Sequence, residues 1–117
     1  MKERADIKRF RKERERLNGI TLKYGDTATK RFFNLDEATY KDGALSSKQK
    51  EMMGLVASLV LRCDDCIRYH LINCFEKGVT CEELREAANI ALIAGGSIVI
   101  PHLRRMYGDW EDLSGER

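Results

Sequence analysis

At 117 residues, with 43% hydrophobic and 34% charged side chains, the chain has the length of one domain and enough apolar content to pack a core without a disulfide scaffold. Its formal net charge of +2, from 21 basic and 19 acidic residues, is too small to point to nucleic acid. A single proline favours helix over strand, and four cysteines behind an amino terminus with no apolar signal segment point to a cytoplasmic protein with catalytic, metal-binding or buried thiols.

The charged opening segment, residues 1–25, predicts a surface helix from Lys2 to Asn18, with a narrow stripe of Ile7, Phe10 and Leu17 and an end at Gly19. Its lysines and arginines are interleaved with Glu3, Asp6, Glu13 and Glu15, the pattern of a solvated face. A second helix begins near Asp26 or Thr27, carries Phe32, Phe33 and Tyr40, and closes at Asp42-Gly43. Ser46-Ser47-Lys48-Gln49 offers a capping box, and the almost wholly apolar run from Met52 to Leu61 predicts a central helix.

The cysteine segment follows, with Ile67, Leu71, Ile72 and Phe75 as its core face and Gly78 at a helix C-cap position. Thr80-Cys81-Glu82-Glu83 is a second capping box, opening a helix that carries Leu84, Ala87, Ala88, Ala91 and Leu92. Gly95-Gly96-Ser97 turns the chain into a last helix from about Ser97 to Tyr107, and the polar tail after Gly108, with Trp110 and Leu113, is expected to fray. No alternating strand pattern occurs, so the expectation is one all-α domain of five to six helices over residues 1–117, with its motif-bearing core at 46–100. The apolar stretch Ile90 to Ile100 is far short of the roughly 20 residues that span a bilayer, so no membrane partner is expected.

Chemistry concentrates in Cys63-Asp64-Asp65-Cys66-Ile67-Arg68-Tyr69-His70. On a helix the thiols lie three apart and His70 lies four beyond Cys66, so the three side chains share a face. A thiol becomes a strong nucleophile when a base or a helix N-terminus lowers its pKa below the free value of about 8.5, and a second cysteine then captures the oxidised sulfur as a disulfide. Zinc on Cys63, Cys66, His70 and Cys74 is the weaker reading, because structural zinc sites usually draw ligand pairs from separate elements. A thioredoxin-type pair is excluded by the missing βαβ context. Cys74 and Cys81 read as small buried or cap-region residues, and His102, beside Pro101, as structural or as lining a neighbouring subunit's site.

These residues resemble the alkylhydroperoxidase D-like branch of the carboxymuconolactone decarboxylase superfamily. The resemblance runs through Lys48-Gln49-Lys50-Glu51-Met52-Met53, Leu55-Val56-Ala57-Ser58, Arg62 to Cys66, Tyr69-His70, Gly78-Val79-Thr80 and Glu82-Glu83-Leu84 to Gly95-Gly96. It implies an all-helical fold, a homotrimer or homohexamer, and a redox site in which Glu51, Cys63, Cys66 and His70 form a proton relay, with no metal or cofactor. The implied activity is a thiol-dependent peroxidase or disulfide reductase, acting on a hydroperoxide or disulfide and restored by an external dithiol. A decarboxylase-type lyase and a non-catalytic redox-sensing or binding oligomer are the alternatives. Asp65 departs from the histidine of the peroxidase members, and a carboxylate there opposes thiolate formation.

The spacing from His70 favours Cys66 as the attacking thiol, whereas a helix starting at Asp64 would favour Cys63. On one straight helix Glu51 and Cys63 would stand about 18 Å apart, so the relay needs the chain to double back near Cys63, bringing Glu51 within about 7 Å of His70 in level. No glycine or proline between Leu61 and Cys66 provides that bend; it is implied by the resemblance. Oligomerisation is expected on separate grounds as well, since Met52 to Leu61 and Ile90 to Leu103 offer more apolar surface than one small domain covers.

Overall fold

Side-chain caps start the helices where the sequence offers oxygen acceptors. In the computed structural model, which describes residues 5–115, Asp26 caps α2 (Thr27–Thr39), Ser46 caps α3 (Ser47–Leu61) and Thr80 caps α5 (Cys81–Gly95). The two capping boxes are complete: Gln49 and Glu83 each accept the cap residue's own N–H at 2.9 Å. The remaining elements are α1 (Ala5–Tyr24), α4 (Asp64–Glu76), a 3₁₀ turn (Ser97–Val99) and α6 (Ile100–Ser114). No strand occurs among the described residues, so the domain is all-α with six helices.

The body of the domain is α3 packed against α4 and α5, with α6 against α4. Leu55 and Leu59 of α3, Leu71 of α4, and Leu84, Ala88 and Ala91 of α5 are fully buried, which is the central role predicted for the apolar run. Phe75 and Leu92 pack against this core half-buried. The α1 stripe is narrower than predicted: Ile7 is fully buried and Phe10 packs on the core, but Leu17 is exposed. No helix of the described residues is long and apolar enough to cross a membrane.

Two expected breaks are absent. Gly19 does not end α1, which continues to Tyr24, and Gly108 does not end α6. The residues before Ala5 in the predicted first helix lie outside the described residues. Glycine weakens a helix by roughly 0.5–1 kcal/mol, and neighbouring packing readily carries the chain past it. In α6 that packing is specific: Trp110 is buried with its ring edge-on to Phe75 at 5.5 Å, Leu113 is buried, and Asp109 grips Arg68 of α4. Through Asp109, Trp110, Asp112 and Leu113, the stretch predicted to fray joins the buried part of the domain.

A Cβ built at Gly19 or Gly108 meets nothing within 4 Å. Gly19→Ala and Gly108→Ala should therefore each raise stability by about 0.5–1 kcal/mol, read as a higher urea midpoint at unchanged slope. A lower midpoint would mean that a neighbouring chain covers that face.

Candidate active site

The turn that joins α3 to α4 is made without glycine or proline. Arg62 takes the left-handed conformation (φ 61°, ψ 42°), and the helix end closes through Arg62 N–H to Leu59 O and Cys63 N–H to Ser58 O, both 3.1 Å. An arginine held there costs about 1–2 kcal/mol that glycine would avoid. The bend missing from the sequence pattern is thus a strained arginine, and it stands immediately before the first cysteine.

Cys63 is the N-cap of α4, extended at φ −102° and ψ 100°, and its Sγ accepts the N–H of Cys66 at 3.3 Å. The first helical residue is Asp64, the condition under which the sequence reading favours Cys63 over Cys66. A sulfur in the place usually held by a serine or aspartate oxygen faces the free N–H groups and positive end of the helix, both of which favour negative charge. Cys66 is exposed in the first turn. Its thiol is pushed up to about 11, first by its hydrogen bond to Cys63, then by burial, then by the charges of Cys63 and Asp65, with Arg14 opposing. The expectation that Asp65 hinders thiolate formation therefore holds for Cys66.

Glu51 and His70 meet directly. Doubling back at Arg62 lays α4 along α3, and Glu51 Oε1 lies 2.8 Å from His70 Nδ1, with the glutamate side chain 5% exposed and the imidazole 12%. Gly54, one turn beyond Glu51, leaves the room: a Cβ there would stand 2.8 Å from His70 Cε1 and 2.8 Å from Tyr40 Oη. The imidazole lies between two tyrosines, at 5.3 Å from the Tyr40 ring and 5.1 Å from Tyr69. Burial first, and the charge of Glu51 second, push the Tyr40 phenol up. Glu51, Cys66, His70 and both tyrosines line a cavity of about 1180 Å³ whose outer wall is α1 and α2. Over it Arg14 stacks on Tyr69, 3.8 Å from the ring centre.

The other candidates fall outside this cluster. Cys74 is fully buried in the core, pushed up to about 12 by burial and then by Glu51, and so is a poor zinc ligand, since ligation needs the thiolate. Cys81 is the half-buried first residue of α5. His102 contacts Asp64, its Nδ1 2.7 Å from the carboxylate. Arg68, which borders the cavity, is bonded by both Nε and Nη2 to Asp109 at 2.8 and 2.9 Å, tying α4 to α6.

Sequence reasoning missed Gly54 and the cavity role of Tyr40. Gly54 had a readable signal, a lone glycine in an apolar helix three residues after Glu51. Tyr40 had none, because it reaches the site from the end of another element, as the C-cap of α2.

The chain superposes on two crystal structures of a Thermotoga maritima protein with TM-scores of 0.91 and 0.88, at 58% and 57% identity, over 92% of this chain and 95% and 91% of theirs. The second is described as a carboxymuconolactone decarboxylase family protein with a suggested part in the antioxidative response. A Legionella pneumophila protein of that family shares the fold, with a TM-score of 0.85 at 24% identity over 95% of this chain and 99% of its own. An uncharacterized protein of the cox locus in Paracoccus denitrificans is 24% identical over 97 residues, 83% of this chain and 87% of its own length. Residues 26–107 match the carboxymuconolactone decarboxylase family, and that span holds Glu51, Cys63, Cys66 and His70 together with the turn between α3 and α4. By this match the chain belongs to the carboxymuconolactone decarboxylase family.

Proposed function

We propose that the protein is a thiol-dependent redox enzyme, a peroxidase or disulfide reductase that cycles Cys63 and Cys66 between dithiol and disulfide. The carrying observation is the pairing of a helix-capping sulfur with a second thiol one turn from a histidine held by a buried glutamate. Cys63, whose sulfur faces the N–H groups at the start of α4, is the attacking thiol of this reading, and Cys66, whose thiol is pushed up, is the resolving one.

With a hydroperoxide, the Cys63 thiolate attacks the distal oxygen. The O–O bond breaks, the alkoxide takes up a proton, and Cys63 becomes a sulfenic acid. Cys66 then attacks the sulfenic sulfur: the S–S bond forms, the S–O bond breaks, and water leaves. His70 accepts the Cys66 proton and returns it to the departing hydroxide, while Glu51 orients the ring and stabilises it when charged. An external dithiol reduces the disulfide and is itself oxidised. Support from outside the chain is the antioxidative role suggested for the Thermotoga relative.

Mixing the reduced protein with a small excess of cumene hydroperoxide should consume two thiols. Mass analysis should then find a Cys63–Cys66 disulfide, reversible by dithiothreitol. Oxidation that left both thiols free and modified Cys74 or Cys81 would remove this reading, and with it the peroxidase and reductase assignment.

The same reading includes a homotrimer or homohexamer. Phe32 and Leu35 of α2, Leu61 of α3 and Ile90 and Ile93 of α5 are all more than 60% exposed, apolar surface that supports this reading. Light scattering at micromolar concentration should give a multiple of 13.5 kDa, and a monomer mass would exclude any site shared between subunits.

A further inference from the structure

A second histidine stands at the cysteine turn and has no part in the relay. Asp64, the first residue of α4, follows Cys63 directly, and its carboxylate is held from α6 on both oxygens. His102 Nδ1 is 2.7 Å from Oδ1 and Arg105 Nη2 is 3.0 Å from Oδ2, while the same arginine nitrogen lies 3.2 Å from the His102 ring. The His102 side chain is only 15% exposed. Burial works against the charge of Asp64, but His102 and Arg105 hold its carboxyl below the usual carboxylate range.

The position of that carboxylate gives the contacts a consequence. A bare negative charge beside Cys63 would oppose a thiolate, as Asp65 does at Cys66. Arg105 offsets that charge, and His102 and Arg105 together tie down the first turn of α4, two residues after the strained Arg62. A disulfide has no thiolate to stabilise, so any group that lowers the energy of the thiolate favours the reduced pair.

We propose that His102 and Arg105 are positioning residues that set the thiol–disulfide equilibrium of Cys63 and Cys66, by holding and neutralising Asp64 so that the reduced pair is favoured. This rests on the pair being redox-active, as read above. In the equilibrium concerned, oxidised dithiothreitol gives up its S–S bond and takes two electrons and two protons, and the Cys63–Cys66 bond forms.

The test is to equilibrate the full-length protein and its variants in dithiothreitol redox buffers at about pH 9, where a thiol of ordinary pKa is largely ionised. The oxidised fraction is read by alkylation and mass analysis. Arg105→Gln should raise the equilibrium constant for oxidation about threefold, an amount suited to a partly exposed charge, and His102→Ala should raise it in the same direction. Asp64→Asn should lower it about threefold, because the repelling charge is gone while Arg105 remains. Arg105→Lys, which keeps the charge, should stay near the parental value and serves if Arg105→Gln fails to fold. A merely structural clamp would be broken alike by Arg105→Gln, His102→Ala and Asp64→Asn, so shifts of one sign, or no shift, would overturn the proposal. A parental protein that forms no Cys63–Cys66 disulfide in any buffer removes the redox reading itself. A normal parental disulfide with unmoved variants removes this inference alone.

Discussion

Cys63→Ser should slow reaction with hydroperoxide by about 10- to 100-fold, whereas Cys66→Ser should still react once and stop at a sulfenic acid on residue 63. The asymmetry follows from the start of α4. Cys63 receives the Cys66 N–H and the positive end of the helix, while Cys66, pushed up to about 11, holds its proton near neutral pH. Removing Cys63 takes away the largest cause of that upward push, yet burial and Asp65 still oppose a Cys66 thiolate. The check is stopped-flow peroxide consumption, with dimedone trapping and mass analysis of the peptide around His70. Trapping on Cys66 in the Cys63→Ser protein at near-parental rate would restore Cys66 as the attacking thiol.

Gly54→Ala should cost about 10²-fold in the rate of disulfide formation while the protein stays folded. The added methyl group would lie 2.8 Å from both His70 Cε1 and Tyr40 Oη, so both side chains must give way. Both obstructing atoms belong to side chains, so the helices can keep their places at a cost of about 1–3 kcal/mol, the usual range for overpacking. Displacing the imidazole breaks its 2.8 Å contact with Glu51, and an error of about 1 Å in a catalytic group is worth about 10²-fold. The variant should thus react like His70→Ala, with retained helical circular dichroism. Parental rates in a folded Gly54→Ala protein would show that His70 has no part in the chemistry.

Much of the fold was readable because helix boundaries are largely local. Asp26, Ser46 and Thr80 present an acceptor oxygen to N–H groups three residues away, and such contacts are written in consecutive residues. The apolar faces of α3, α4 and α5 were equally legible from helical spacing. Local weights misled where long-range packing outweighed them. Gly108 argued for an end to α6, but Trp110 on Phe75 and Asp109 on Arg68 reward its continuation with partners far away in the chain. Gly19 failed as a stop for a simpler reason: glycine lowers helix propensity without forbidding the helix.

By itself, the sequence determined the all-α class, the capped helices and the set of candidate site residues, since each depends on residue types at short, countable spacings. Tertiary structure decided how those residues meet. It placed the bend on Arg62, whose left-handed backbone no propensity favours. That bend brings Glu51 onto His70 across nineteen positions of sequence, and α6 brings His102 and Arg105 to Asp64 across about forty. Above all, starting α4 at Asp64 turned Cys63 from one of three residues on a helix face into the cap of that helix. Spacing alone ranks Cys66 first because it measures distance to the base. Which sulfur faces the open N–H groups of the helix is a separate matter, and only the folded chain defines where that helix begins.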